Sequence, residues 1–289
     1  MRAGFIGAGK VGFSLGKYLS VHGIEISGYC SRSAASAKEA AEFTQSRYYT
    51  DIEEITKDSD TLFITAPDGA IGEIWDDMRN LPIRDKNICH CSGSIPSTVF
   101  FDAESRGAYR YSVHPLYAVS SRYDSWKNLE NAYFAVEGSS AHLPQLRSVF
   151  ENAGNRVVVI DPGCKILYHT AAVMVSNQIA ALADMGTVLL GKCGFSREEA
   201  EAALAPLIAG NAAKVAEKGV AEALTGPVER GDEKTVAKHL RALAEFAEED
   251  ETGRDIFAAY RTLSAQLIRI AERKHPDRNY QKLEKELGK

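Results

Sequence analysis

Gly7-Ala8-Gly9-Lys10-Val11-Gly12 is the stretch on which the fold turns. It follows an apolar run at residues 3–6 and opens a segment whose Leu15 and Leu19 sit at helical spacing. A strand, a tight turn and a helix in that order make the G-x-G-x-x-G turn of a dinucleotide-binding βαβ unit. Gly7 allows the tight turn, Gly9 lets a diphosphate reach the main chain, and Gly12 lets the helix pack close to the sheet. The helix start then offers unpaired amides and partial positive charge to a phosphate. Ala8, Lys10 and Val11 complete the expected cofactor segment.

The second strand names the dinucleotide. Sites that take NAD place an acidic side chain about 20 residues beyond the glycines, on the ribose 2′-hydroxyl. Here Cys30 is followed by Ser31-Arg32-Ser33, a guanidinium between two hydroxyls, which suits a 2′-phosphate. NADP(H) is therefore the expected cofactor. A plainer reading makes Ser33 a helix N-cap and Arg32 a solvated charge, and Ser33 can serve both purposes.

Outward from this turn, strands are expected at 3–6, 25–30, 47–49, 61–66, 87–91, 109–113, 132–136 and 156–160. Helical patterns fall between them at 11–20, 34–43, 71–80, 97–105 and 142–153. That alternation is the rhythm of a parallel sheet covered by helices. After Asp161-Pro162-Gly163 the β-branched runs stop, and Ala- and Leu-rich segments with three- and four-residue spacing take over. The expected fold is an α/β Rossmann domain, doubly wound and mostly parallel, over 1–161, followed by an all-helical domain over 162–289. The first helix of that domain, 165–190, is apolar around most of its circumference, so burial at a domain or subunit interface is expected. Later helices are expected at 197–218, 233–249 and 253–273, with a short charged one at the end.

Composition is that of a globular protein, with 45% hydrophobic and 25% charged residues. A net charge of -5 and no basic run argue against a nucleic-acid surface and leave a small-molecule ligand. The 5 cysteines are scattered, and Cys89-His90-Cys91 has neither zinc nor redox spacing, so no metal is expected and a reducing cytoplasm fits best. The first residues do not read as a signal peptide, and no unbroken apolar stretch of about 18 residues is apparent, so no membrane association is expected.

Ligands of open α/β sheets lie beyond the carboxyl ends of the strands. Thr65-Ala66-Pro67-Asp68 follows the fourth strand and is expected to pass the nicotinamide ribose, with Ala66 and Pro67 beside it; an ordinary turn is the alternative. Ser92-Gly93-Ser94 follows the fifth strand and His114-Pro115 the sixth. A histidine there suits proton transfer alongside hydride transfer to a carbonyl or imine, although a lone histidine is more often structural. In the helical half, Lys165, Tyr168, His169, Ser176 and Asn177 fall within about three turns of one helix. The turn Leu224 to Asp232 either caps a helix through Asp232 or sets Thr225 and Arg230 beside a bound anion.

Four of these segments carry a resemblance. They are Ser92-Gly93-Ser94, Val113-His114-Pro115-Leu116, Tyr168-His169-Thr170-Ala171-Ala172 with Ser176-Asn177, and Ala223-Leu224-Thr225-Gly226-Pro227 with Arg230-Gly231-Asp232. The N-terminal half resembles the coenzyme-binding domain of pyrroline-5-carboxylate reductase, prephenate dehydrogenase and the 6-phosphogluconate and β-hydroxyacid dehydrogenases. From end to end the chain resembles a bacterial family that joins a Rossmann-like domain to a domain of unknown function, number 2520.

The resemblance implies a helical domain of the 6-phosphogluconate dehydrogenase C-terminal type that carries substrate contacts and forms a homodimer. It implies substrate contacts by Ser92 or Ser94, by His114 and by the Thr225 loop, while Asn177 and Arg230 are candidates from their places in the helix and the turn. The β-hydroxyacid enzymes follow a catalytic lysine at these spacings with Asn-Asn or His-Asn. Lys165 is followed by Tyr168 and His169 instead, which implies a different substrate geometry. The implied activity is NADP(H)-dependent oxidoreduction of a small, anionic molecule bound between the domains. A non-catalytic NADP(H) sensor or scaffold is the alternative.

Overall fold

The computed structural model describes residues 1–288. It divides into two compact units, Met1–Ser176 and a second that begins at Asn177.

The first unit is built on one sheet of eight strands: β1 (Arg2–Ile6), β2 (Glu25–Cys30), β3 (Arg47–Tyr49), β4 (Thr61–Ile64), β5 (Asn87–His90), β6 (Tyr109–Leu116), β7 (Tyr133–Gly138) and β8 (Arg156–Val159). Their order is β3-β2-β1-β4-β5-β6-β7-β8. The six strands from β3 to β6 run parallel, whereas β7 is antiparallel to β6 and β8 parallel to β7. All eight expected strands are present, and the sheet is mostly parallel as the sequence indicates.

Helices cover both faces. Alternate residues of the central strands supply two cores, as the period of two requires. Phe5, Tyr29, Phe63 and Tyr111 face α1 (Lys10–Val21), α2 (Ala34–Thr44) and α5 (Leu143–Asn152), and the Phe5 ring stacks on Tyr29 and Phe63 at 5.1 and 5.3 Å. Ile6, Leu62, Ile64 and Ile88 face α3 (Ile52–Asp58) and α4 (Asp68–Met78), where Trp75 and Phe100 are fully buried.

Four expectations need correction. The helix expected over 97–105 is two 3-10 turns, Ser97–Val99 and Glu104–Arg106. Its polar side chains are engaged elsewhere: the amide and hydroxyl of Ser97 donate to the buried Glu137 carboxylate, while Asp102 accepts from Trp75, Arg79 and Arg106. Second, β6 runs past residue 113, since its pairing with β7 continues to Leu116↔Tyr133, so His114 lies within the strand.

Third, the helix expected over 165–190 is broken at Ser176 into α6 (Lys165–Val175) and α7 (Asn177–Lys192). It is not buried on several sides: Ile166, Leu167, Met174, Val175, Ile179 and Leu182 are exposed. Fourth, the run Pro162–Lys192 is long and apolar enough, by length and composition alone, to cross a membrane. It nevertheless carries Lys165, which is bonded to the sheet domain as described below.

The second unit is helical: α7, then α8 (Arg197–Ala223), α9 (Pro227–Arg230), α10 (Glu233–Ala247), α11 (Glu251–Lys274) and α12 (Gln281–Glu286). Ser196 and Glu199 form a reciprocal capping box at the start of α8, which is interrupted at Gly219 where φ is 77°. Asp232 and Asp250 cap α10 and α11 through Thr235 and Gly253. Val228, Val236, Leu240, Ile268, Tyr280 and Leu283 form the core of this unit.

Candidate functional site

The glycine turn closes as its spacing requires. Gly7 adopts φ 115°, its amide donates to the Cys30 carbonyl at 2.8 Å, and its carbonyl accepts the Thr65 hydroxyl at 2.8 Å. A β-carbon at Gly7 would lie 2.7 Å from the Thr65 main chain, and one at Gly12 2.4 Å from the Thr65 hydroxyl. These two glycines fix how closely α1 and the end of β4 approach. Gly9 differs: its nearest neighbour would be 3.9 Å away.

Gly9 is the N-cap of α1 and supplies no side-chain cap, so the first amides of the helix have no side-chain acceptor there. The turn borders a cleft of about 280 Å³ lined by Gly7, Ala8, Gly9, Ser31, Arg32, Thr65, Ala66 and Pro67. Lys10 is exposed and Val11 half-buried. Ser33 is the N-cap of α2, its hydroxyl accepting from the Ser36 amide, so its hydroxyl is already engaged by the helix.

A second group gathers at the carboxyl ends of β4, β5 and β6, all within the first unit. Asp68 opens α4, and its Oδ2 accepts the hydroxyls of both Ser92 and Ser94 at 2.9 Å. The Ser92 hydroxyl in turn accepts the amides of Ser94 and Ile95, which locks the turn after β5. Lys165, only 1% exposed, donates from Nζ to the Ser92 carbonyl at 2.7 Å and to the Ser112 hydroxyl at 2.8 Å. Burial pulls its pKa down to about 8, against the opposing pull of Glu137, Cys91 and Asp68. The first turn of α6 is thereby fastened to β5 and β6.

From that fastened turn, Tyr168 meets His114, its hydroxyl 2.7 Å from Nδ1. Burial pushes the Tyr168 pKa up to about 12, so the phenol keeps its proton at this contact. Burial, with the charges of Lys165 and His169, lowers the His114 pKa to about 4. Gly93 sits against both imidazoles: a β-carbon there would lie 2.9 Å from His114 Nε2 and 2.8 Å from His169 Nδ1. That Nδ1 is shielded from solvent and has no hydrogen-bond partner.

The structure thus brings Ser92, Ser94, His114, Lys165 and His169 together. Thr225 and Arg230 are exposed in the second unit, in a turn held by Lys274 and Tyr280 through the Leu224 and Glu229 carbonyls. Asn177 begins α7 and is exposed. Sequence reasoning did not assign roles to Asp68 and Tyr168, although the Pro-Asp-Gly turn and the Tyr-His pair signalled both positions.

Two predictions follow from this geometry. Gly7→Ala should lower unfolding free energy by about 2 kcal/mol or more, from clash and a positive φ, whereas Gly9→Ala should stay within about 0.5 kcal/mol in denaturant titrations. His90 and His114 both have pKa values lowered to about 4 by burial, against 6.5 for a free histidine. The unfolded chain takes up these protons first. Stability should therefore hold above pH 6.5 and fall toward pH 4 by about 1.4 kcal/mol per pH unit for each histidine. A denaturation midpoint unchanged over that window would contradict the burial of both rings.

Comparison with known proteins agrees with this architecture. Residues 1–115 match the family described as a Rossmann-like domain, and residues 132–267 match a domain of unknown function, DUF2520. No curated protein matches the chain. The crystal structure of protein TM1727 from Thermotoga maritima is similar over 94% of this chain and 99% of that one, at 25% identity and a TM-score of 0.73. A Bacteroides fragilis protein provisionally described as an NADP oxidoreductase is 26% identical, with 93% and 98% of the two chains covered and a TM-score of 0.68. A reductive aminase from Aspergillus terreus, solved with NADPH and ethyl-5-oxohexanoate, shares the fold at 17% identity, 93% coverage of both chains and a TM-score of 0.63. The chain thus matches a Rossmann-like domain in its first part and DUF2520 in its second.

Proposed function

We propose that the chain is an NADP(H)-dependent oxidoreductase of a small molecule. The observation that carries this reading is the uncapped start of α1, where Gly9 opens onto a cleft that Ser31 and Arg32 also line. The main chain at Gly9 and Lys10 receives the diphosphate, Arg32 with Ser31 and Ser33 the 2′-phosphate, and Ala66 and Pro67 the nicotinamide ribose. The provisional assignment of the Bacteroides fragilis protein and the NADPH in the Aspergillus terreus aminase support the choice of dinucleotide.

When bound, the reduced nicotinamide supplies a hydride. The chain's own residues then have separate tasks. Ser92 and Ser94, held by Asp68, orient the turn that faces the substrate. His114 offers a ring N–H to the substrate as a hydrogen-bond donor, and the Tyr168 hydroxyl at Nδ1 fixes the orientation of the ring. With a pKa near 4 the ring acts as a neutral hydrogen-bond donor rather than as an imidazolium acid. Lys165 donates its protons to Ser92 and Ser112 and serves to position that turn.

The substrate carries an anionic group, for which Thr225 and Arg230 are the residues to test; Arg230 is exposed and, among the described residues, makes no ion pair. The apolar side chains exposed on α6 and α7 cover a second copy of the chain in a homodimer, and the 5 free cysteines suit a cytoplasmic location.

Calorimetry with NADPH and NADH tests the cofactor. Arg32→Ala should weaken NADPH binding by roughly 10- to 100-fold and leave NADH nearly unchanged, the loss of one charge-assisted contact. Equal effects on both would remove the assignment. In turnover, His114→Gln should reduce kcat by about 100-fold or more. The wild-type rate should show no His114 break near pH 6.5, because that ring titrates near pH 4.

A further inference from the structure

Asp68 is bonded to a neighbouring turn rather than within its own helix. It occupies the first position of α4, yet it accepts no amide of that helix. Both of its hydrogen bonds arrive on one oxygen, Oδ2, from hydroxyls on the neighbouring turn. Two donors on one oxygen fix the plane of the carboxylate. Oδ1 is left with no protein partner on a residue that is exposed.

The surrounding charges leave Asp68 unneutralised. Lys165 makes no ion pair with it; its ammonium is buried and bonded to Ser92 and Ser112. His114 is neutral, and the acidic side chain of Glu137 is buried on Ser97. Among the described residues at the ends of β4, β5 and β6, the one full charge that a ligand can reach is therefore negative. A carbonyl that becomes an oxyanion on hydride arrival is disfavoured beside such a group. A protonated C=N bond is favoured, since its positive charge is present before transfer.

We infer that Asp68 selects substrates whose reacting end is a cationic nitrogen, so that the enzyme interconverts an iminium and an amine rather than a ketone and an alcohol. This rests on the NADP(H) reading above. In the reductive direction the hydride and its electron pair add to the iminium carbon. The C=N π pair withdraws onto nitrogen, which keeps its proton, and the dinucleotide leaves oxidised. Asp68 Oδ1 accepts the N–H hydrogen bond throughout, and the serines keep its other oxygen from turning.

The test uses the full chain loaded with NADP at neutral pH, with pyrrolidine, which is protonated there, and tetrahydrofuran, its neutral ring analogue, titrated calorimetrically. Wild type should bind the amine at least tenfold more tightly than the ether, and Asp68→Asn, which retains an oxygen for both serines, should lose that preference. NADPH-dependent turnover of 1-pyrroline should fall at least tenfold in the same variant relative to turnover of cyclopentanone. A wild-type protein that does not distinguish amine from ether overturns the inference without recourse to any variant, and so does an Asp68→Asn protein that keeps the preference. NADPH uptake is measured first and separately. A wild type that fails to take it up overturns the reading of the cleft, and this inference with it. Uptake without discrimination removes the role of Asp68 alone.

Discussion

A single buried cation organises the end of the sheet where chemistry is proposed. Lys165 has lost almost all contact with water and has no carboxylate in ion-pair range, so its charge is held by the Ser92 carbonyl and the Ser112 hydroxyl. An ammonium in that setting tolerates little displacement, because leaving either acceptor exposes an unpaired charge to a poorly polarisable interior. The consequence is geometric. The first turn of α6 is locked to the ends of β5 and β6, which carries Tyr168 onto His114 and His169 against Gly93. Gly93 is then obligatory for space rather than for backbone conformation, since any β-carbon would strike both rings.

The same cation sets the protonation pattern. Its field adds to burial in lowering the pKa values of both His90 and His114. Glu137, locked by Ser97 from the turn after β5, works in the opposite sense on Lys165. The 3-10 turn at Ser97–Val99 thus belongs electrostatically to the site, although it touches none of the proposed reacting groups.

What could be read from the sequence divides along the range of the interactions. The turn from Gly7 to Gly12 was legible because its constraints act between residues adjacent in sequence: a positive φ, a close approach, an uncapped helix. The strands were legible because central parallel strands are apolar on both faces, and Phe5-Ile6 and Phe63-Ile64 feed opposite cores. Ser92, Ser94 and His114 were found from the rule that ligands gather beyond strand ends. The pairing of His114 with Tyr168 spans 54 residues, and no local pattern encodes it. Asp68 reads locally as a turn residue, and only its two serines, 24 and 26 residues away, reveal its purpose. For α6 and α7, apolar periodicity records that a face is to be covered but not by which chain.

Lys165 shows how a resemblance and a geometry can assign one residue different work. A lysine that donates a proton to substrate needs an exposed Nζ, whereas this one is fully engaged with protein acceptors. The change from Asn-Asn or His-Asn to Tyr168 and His169 after it is consistent with that shift: the groups able to handle a proton have moved one turn along α6. Asp68 then holds the reachable charge, and the His114 ring is neutral. A site of this composition stabilises positive charge on a bound nitrogen by one fixed carboxylate and moves protons through uncharged partners. It can do so only while the lysine remains buried and protonated behind them.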